Sequence, residues 1–177
     1  MITCFVVSAL VLDHCQIKSQ LVEQMRHAIV VVRGRNGANM GQIRFRENIE
    51  GKVNIRGTVE GLVKGAHGMH IHQFGDLSLG CKSTGGHFDI LSNQTAHGPY
   101  GHGHTGDFGN LIAGDTGVAN IYINDSPVTL HGDASIVGRA IVIHEGPDDL
   151  GRQNNNQSRI TGNSGHPVAC GIIAWDD

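Results

Sequence analysis

Alternation of apolar and polar residues predicts a series of short strands along most of this chain. In the segment KVNIRGTV, Val53, Ile55 and Val59 fall on one face, and in VANIYIN the same holds for Ile121 and Ile123. Similar segments predict further strands at Ala28–Val32, Gln42–Arg46, His67–His72, Arg139–His144 and Ala169–Trp175. No long segment after residue 27 shows the period of about 3.6 residues that indicates a helix, so the pattern predicts an all-β sandwich or barrel.

Two long stretches interrupt this pattern and are predicted to be loops. Gly75–Gly106 is rich in glycine and histidine, and Glu145–Gly165 is dominated by Gln, Asn, Ser and Gly. Loops of this length are uncommon in a small β-domain unless they are functional or disordered. Because candidate metal ligands lie in or beside both loops, we expect them to form the walls of a site.

The first 26 residues differ in composition from the rest of the chain. MITCFVVSALVLDHC has the apolar length of a signal-peptide core, but it lacks a positively charged leading region and a clean cleavage site. We therefore expect residues 1–26 to be an extension, helical or disordered, and residues 27–177 to form one domain. A cytoplasmic location is expected, with secretion as the alternative if the segment is a signal peptide.

Charge and composition exclude some functions and favour metal binding. A formal net charge of -3 provides no basic field for nucleic acid, and no apolar run reaches the roughly 18 residues of a membrane-spanning helix. The sequence therefore predicts neither a nucleic-acid partner nor a membrane partner. By contrast, 12 histidines and 26 glycines are unusual, and they indicate metal ligands and turns.

The histidines form a pattern with metal-ligand spacing. His70 and His72 alternate in a predicted strand, so that both rings leave the same face; on its own, such a pair also suits a polar strand surface. Three histidines and one aspartate follow within 21 residues: His87, His97, His104 and Asp107. Three imidazoles and a carboxylate complete the tetrahedral shell of a structural zinc ion. By spacing alone, His102 is as good a candidate as His104.

His144 and the cysteines are ambiguous from the residues alone. A lone histidine at the end of a strand, as in RAIVIH, is usually structural unless a partner such as the His70 and His72 pair lies near it in space. The four cysteines permit three complete pairings, between which the sequence does not choose. They are Cys4, Cys15, Cys81 and Cys170.

Five ordered segments resemble the copper/zinc superoxide dismutase family. They are GMHIHQFGD, GCKSTGGHFDI, HTGDFGN, HEGPDDLG, and TGNSG followed by ACGII. The similarity covers roughly Ala28–Trp175, and it implies an eight-stranded Greek-key β-sandwich or flattened barrel of immunoglobulin-like type. It also implies an antioxidant enzyme that converts superoxide to oxygen and hydrogen peroxide, with copper reduced and reoxidised in turn.

The resemblance assigns roles to individual residues, with one copper and one zinc per subunit. Copper is held by His70, His72, His87 and His144. Zinc is held by His87, His97, His104 and Asp107, with His87 as the shared imidazolate. His87 and His144 thus belong to the catalytic centre, Asp148 links ligands of the two metals, and His67 is structural. Cys81 and Cys170 form the family's disulfide.

One departure from the family pattern lies beside the copper site. Pro167 stands where the family carries an arginine that attracts the anionic substrate, so lowered efficiency is expected. The amides of Asn156 and Gln157 replace acidic residues and partly offset this loss. Arg159 and His166 are candidates for the missing charge, although each also fits an ordinary solvated loop residue.

The resemblance also implies partners and leaves an alternative function. A homodimer is expected, and a copper chaperone is a candidate partner for loading the metal. The alternative is a non-enzymatic copper- and zinc-binding module or a copper-delivery module. Such delivery modules usually carry an additional CxxC or CxC motif, which this sequence lacks, and Cys4 and Cys15 do not mimic one.

Overall fold

The computed structural model describes residues 25–90, 97–98, 102–126 and 128–176, and it confirms the all-β prediction. The expectations for residues 1–24 lie outside the described residues. The described strands are β1 (Arg26–Gly34), β2 (Asn39–Glu47), β3 (Val53–Val59), β4 (Gly65–His72), β5 (Ser78–Cys81), β6 (Asp107–Ala113), β7 (Ala119–Ser126), β8 (Ala140–His144), β9 (Pro167–Ile172) and β10 (Ala174–Trp175). A 3-10 turn covers Lys82–Thr84, and one short helix, α1, covers Asn156–Thr161.

Nine of the described strands form one antiparallel, nearly closed sheet, in which eight follow the order β6-β4-β8-β9-β1-β2-β3-β7 and β10 pairs with β1. This barrel-like path of eight strands agrees with the implied fold. Strand β1 has two partners on one side: its end pairs with β9 at Arg33 and Cys170, and its beginning pairs with β10 at Ala28 and Trp175. No helix in the described part of the chain is long and apolar enough to span a membrane.

The core follows the predicted alternation. Val53, Ile55 and Val59 of β3 are fully buried, and Ile121 of β7 faces the same core. In contrast, the last six residues of β4 and all of β8 are buried on both faces, because the two long loops cover the outer side of these strands. Polar side chains on those strands, which include the histidines, are therefore shielded from water.

Three local features were not predicted. Strand β6 lacks a clean period of two because Gly109 has a φ of 74° and the register with β4 shifts between Gly68 and His70. The predicted strand over residues 169–175 divides at Ile173, where the chain stops pairing with β8 and begins to pair with β1. The predicted loops also contain β5, the 3-10 turn and α1, whose N-cap is Asn155.

Candidate metal centre

Strands β4, β6 and β8 carry predicted ligands to the outer face of the sheet, opposite the core that contains Met69 and Ile71 of β4. His70 and His72 lie at the end of β4, His144 ends the adjacent β8, and Asp107 begins β6 on the other side of β4. The loop after β5 returns to β4 through an isolated antiparallel bridge between His72 and His87. All of these side chains are buried, although they come from distant parts of the sequence.

Four histidines form the first candidate metal group. One ring nitrogen from each of His70, His72, His87 and His144 lies within 4.8 Å of the others. Within the described part of the chain, the nitrogens that have no hydrogen-bond partner are Nδ1 of His70 and Nε2 of His72, His87 and His144. Buried polar atoms are normally hydrogen-bonded, so four orphaned nitrogens in one place fit a metal ion.

The opposite ring nitrogens are held by fixed acceptors. Nδ1 of His72 lies 2.8 Å from the carbonyl oxygen of Gly85, and Nδ1 of His144 lies 2.9 Å from that of Gly165. A carbonyl oxygen only accepts, so each Nδ1 carries the proton and each Nε2 is left with a free lone pair. This is the arrangement by which outer groups orient metal-binding histidines.

A second candidate group surrounds Asp107. Its Oδ1 lies 2.8 Å from Nδ1 of His87, and its Oδ2 lies 2.9 Å from Nδ1 of His97 and 3.2 Å from Nδ1 of His104. His102 is exposed, whereas His104 is buried, so the geometry favours His104. His87 therefore presents Nε2 to the first group and Nδ1 to the second. Its ring stacks on that of His70, with ring centroids 3.9 Å apart.

The second group differs in one detail from the implied zinc set. The four residues whose ligand atoms lie within 4.8 Å of one another are His70, His87, His97 and Asp107. His104 is connected through Asp107, which accepts its backbone N–H at 2.8 Å as well as approaching its ring. Nδ1 of both His97 and His104 has no hydrogen bond of good geometry despite the nearby carboxylate, which is consistent with a place for a cation.

Asp148 connects the two groups. Its Oδ2 lies 2.9 Å from Nε2 of His70, and its Oδ1 lies 2.6 Å from Nε2 of His97. The backbone of Asp148 is held by the side chain of Asn110, which accepts its N–H at 2.7 Å and donates to its carbonyl at 2.9 Å. Sequence reasoning did not single out Asn110, although it ends the HTGDFGN segment. Gly162 is required at the contact because a Cβ there would overlap Asp148 Oδ1.

His67 is not part of either metal group. Its Nδ1 lies 2.7 Å from the carbonyl oxygen of His144, and its Nε2 lies 2.7 Å from that of Val63. Both ring nitrogens are therefore occupied by the backbone, and the ring ties the start of β4 to the end of β8. A structural role, as the resemblance implies, accounts for these contacts.

Burial sets the protonation of most of these rings. Desolvation lowers the pKa of His70 to about 3 and that of His72 to about 2, and it also lowers the pKa of His87 and His144. Burial acts in the same direction on His97, but the nearby carboxylates of Asp107 and Asp148 outweigh it and raise the pKa of His97 to about 9. The first group is thus a set of neutral imidazoles, the form that binds metal.

Metal-free protein is expected to lose stability as the pH falls below about 6.5. The four imidazoles with lowered pKa values stay neutral when folded but take up protons when unfolded, so the unfolded state binds more protons below pH 6.5. Each contributes up to about 1.4 kcal/mol per pH unit of decrease. Urea unfolding of the metal-free chain near pH 7.5 and about pH 5 measures this loss.

His97 has the opposite sign in this experiment. Its pKa is raised, so its stabilisation is fully present below 6.5 and disappears as the pH rises through about 9. The contribution of His97 to the free energy of unfolding therefore does not cancel the opposite contributions of the four histidines with lowered pKa values. A free energy of unfolding that stays constant or rises towards pH 5 would show that the four rings are not buried in their neutral form.

A cleft leads from solvent to the first group. His72, His87 and His144 lie at its base. The described part of its wall includes Gln157, Ile160, Thr161, Asn163 and His166, but neither Arg159 nor Pro167. Of the two candidates for the missing positive charge, only His166 therefore faces this cleft.

A disulfide supports the first loop. Cys81 and Cys170 are bonded, with their Cα atoms 5.8 Å apart, and this is the pairing that the resemblance implies. The bond joins the end of β5 to β9 and crosses 89 residues of sequence. Because Thr84 and Gly85 lie just beyond Cys81 and both contact Nδ1 of His72, the disulfide fixes the backbone that orients this ring.

The fold and the site together define a β-barrel metalloprotein with two adjoining histidine-rich sites. A family model described as copper/zinc superoxide dismutase (SODC) matches residues 39–173. The chain belongs to the copper/zinc superoxide dismutase family, whose metals are copper and zinc.

Individual relatives agree with this membership. The chain is 45% identical over 148 residues to superoxide dismutase Cu-Zn 3 of Arabidopsis thaliana, covering 82% of this chain and 88% of the relative. It is 43% identical over 148 residues to superoxide dismutase Cu-Zn 2 of Mesembryanthemum crystallinum, covering 82% and 93%. The crystal structure of the clock protein EA4 matches with a TM-score of 0.77 at 38% identity, covering 84% of this chain and 94% of that one.

Proposed function

We propose that this protein is a superoxide dismutase in which copper is held by His70, His72, His87 and His144, and zinc by His87, His97, His104 and Asp107. The observation that carries this proposal is His87, whose two ring nitrogens face two different groups of ligand atoms. When bound, copper supplies one-electron redox chemistry, and zinc, which has none, supplies a fixed positive charge.

The protein's own groups prepare the centre for this chemistry. Gly85 and Gly165 hold the protons of His72 and His144 on Nδ1, so that both Nε2 atoms remain available without rotation of the rings. Asp148 spans His70 and His97 and fixes the distance between the two sites. Such outer contacts commonly affect metal affinity or activity by roughly 10- to 100-fold.

His87 also provides a place for a proton. Its Nε2 is buried and has no hydrogen-bond partner among the described residues, whereas its Nδ1 is held by Asp107. A ring that is fixed through Nδ1 can accept or release a proton at Nε2 without moving. Since reduction of superoxide to hydrogen peroxide consumes protons, we infer that this atom, when it is free of metal, is a proton donor at the reaction centre.

The basic test is a dismutation assay alongside metal analysis of the purified protein. The proposal expects one copper and one zinc per chain and turnover that depends on copper. Turnover in protein free of copper would contradict the mechanism. Both metals present without turnover would favour the alternative of a non-enzymatic metal-binding or copper-delivery module.

We further propose that efficiency is lowered because of Pro167. Proline provides neither a charge nor an N–H donor, and in the structure its backbone opens β9 opposite His144. Among the described cleft-lining residues, none is an arginine, lysine, aspartate or glutamate. The cleft itself therefore supplies little field to attract an anion.

Replacing Pro167 by arginine is expected to raise dismutation at low ionic strength by a factor of about 10, equivalent to about 1.4 kcal/mol of transition-state stabilisation. The gain should shrink as salt screens the added charge. Pro167→Gln is the matched control, because it gives the backbone the same freedom without charge. Equal rates for the arginine and glutamine variants, both fully metallated, would show that the missing charge is not limiting.

We propose that the protein is a homodimer. Three large apolar side chains, Phe74, Ile172 and Trp175, are 57%, 41% and 53% exposed. Ile172 lies close to Gly75, the neighbour of Phe74 in sequence, since a Cβ on Gly75 would lie 3.2 Å from Ile172 Cγ2. Exposed apolar clusters commonly mark interfaces. Sedimentation equilibrium that gives only the 18.9 kDa monomer would contradict this proposal.

We also propose a cytoplasmic location, in keeping with the poor match of residues 1–26 to a signal peptide. Cell fractionation tests this directly. Recovery of a chain that lacks these residues from the culture medium would favour the secreted alternative.

A further inference from the structure

The metal cleft is bordered by a second, strongly basic cavity. This cavity, of about 700 Å³, lies between the β1–β2 turn, the disulfide and the start of β9. Three permanent positive charges line it: Arg33, Arg35 and Lys82. No carboxylate is found among its described lining residues, so it is a concentration of positive charge on a chain whose net charge is -3. We call these three residues, together with His166, the basic bay.

Both arginines of the basic bay are held in place by backbone carbonyl groups. Nε of Arg35 donates to the carbonyl oxygen of Pro167 at 2.6 Å, and Nη1 of Arg33 donates to that of Gly37 at 3.2 Å. A guanidinium has five N–H donors, so the remaining donors of each arginine are available to an anion. The short hydrogen bond therefore holds the charge of Arg35 next to Pro167. This is the position at which the resemblance implies an arginine.

The basic bay and the metal cleft share one wall residue. His166 lines both cavities, while Pro167 lines the bay and the metal ligand His144 lines the cleft. Glu145 carries an opposing charge beside this wall: its carboxylate accepts the backbone N–H of His166 at 3.0 Å, and that bond lowers its pKa. Glu145 does not line the bay but borders a neighbouring cavity with Arg35, so it reduces the positive field without removing it.

We propose that the basic bay binds small inorganic anions and delivers superoxide to the metal cleft past His166. This inference rests on the proposed dismutase function, because delivery has meaning only if superoxide is consumed in the cleft. A concentration of positive charge attracts anions, and electrostatic steering of this kind raises association rates. Anions that gather in the basic bay lie next to the metal cleft, whose described wall carries no opposing charge. Arg35 and its neighbours thus supply part of the charge that is absent from the cleft wall.

Kinetics of the holoenzyme test the delivery role. Arg35→Gln is expected to lower kcat/KM for superoxide about threefold at low ionic strength, and Arg35→Gln with Lys82→Gln about fivefold, with both losses vanishing at high salt. Arg35→Lys should retain most of the rate because it keeps the charge. Arg46→Gln is the matched control, since it removes an equal charge from the opposite end of β2. Equal rates for Arg35→Gln and Arg46→Gln would overturn the delivery role.

Phosphate binding gives a readout that does not depend on turnover. In the reduced, metal-loaded protein, titration with inorganic phosphate is expected to shift the NMR signals of the Arg35 side-chain Nε–H and the His166 backbone N–H. In Arg35→Gln the shift at His166 should become several-fold weaker, and in Arg46→Gln it should not change. If phosphate causes no shift at either group, the bay is not an anion site.

The two experiments separate this inference from the proposed function. A holoenzyme that binds both metals without dismutating superoxide refutes the dismutase proposal and the delivery role with it, while phosphate shifts would still locate an anion site. An active holoenzyme whose rate is insensitive to Arg35 refutes delivery alone. Thermal unfolding of each variant shows whether a lower rate results from misfolding. If Arg35→Gln is misfolded, the rate of Arg35→Lys, which keeps the charge, is compared with that of the wild type instead.

Discussion

Replacement of His87 by alanine is expected to lower copper-dependent dismutation by more than about 100-fold, because even groups that only orient a metal ligand contribute roughly 10- to 100-fold. His87 contacts Asp107 through Nδ1 and offers Nε2 to the group formed by His70, His72 and His144. Its loss should therefore weaken both metal sites, whereas loss of a ligand to one metal should weaken mainly that site. Dismutation rates together with copper and zinc contents measure the effect.

His102→Ala is the matched control for this substitution. His102 lies in the same glycine-rich region but is exposed, so its removal should leave metal content and rate unchanged. His144→Ala should reduce copper far more than zinc, because His144 belongs only to the first group. If the His87→Ala protein keeps both metals and its activity, the ring is not shared.

Loss of the disulfide is expected to have the largest effect on stability. The bond between Cys81 and Cys170 spans 89 residues, and in the chain-entropy model the corresponding constraint on the unfolded state stabilises the protein by about 4.5 kcal/mol. For a chain of this length, we expect Cys170→Ser to lower Tm by about 10–15 °C. Thermal and urea unfolding of the metal-free protein measure this change without a contribution from metal binding.

The remaining cysteines provide the control for the disulfide experiment. Cys4→Ser with Cys15→Ser leaves the bond intact and should have little effect on Tm. Wild-type protein treated with a reductant should behave like Cys170→Ser. A change below about 1 kcal/mol in Cys170→Ser would mean that the bond contributes much less than its loop length predicts.

Much of the fold could be predicted because the alternation of apolar and polar residues in a strand shows which of its faces is buried. The burial of Val53, Ile55 and Ile121 follows from this rule. Strand β6 does not follow it, since the positive φ of Gly109 and the shifted pairing with β4 break the period. The division at Ile173 was also unpredictable, because it depends on which neighbouring strand is in reach.

The metal ligands were easier to predict as a set than as individual atoms. Spacing places His70 and His72 on one face, and the resemblance supplied His144, which by its local sequence is an ordinary strand-end histidine. Spacing did not distinguish His102 from His104; the burial of His104 and its contact with Asp107 favour it in the folded chain. A choice of this kind requires tertiary structure.

The groups that orient the ligands were largely invisible in the sequence. Gly85 and Gly165 hold His72 and His144 through backbone carbonyls, which every residue type possesses, so no side chain marks them. Asn110 supports Asp148 through two backbone contacts, and only the fold brings the two residues together. In the same way, the basic bay depends on Arg35 reaching Pro167 across 132 positions of sequence.

Anomalous X-ray diffraction from crystals of the metal-loaded protein, recorded at the copper and zinc absorption edges, tests the central assignment most directly. We predict two separate peaks on opposite sides of the His87 imidazole, with copper next to Nε2 and zinc next to Nδ1. A single peak, or two peaks of which one lies away from this ring, would contradict the account.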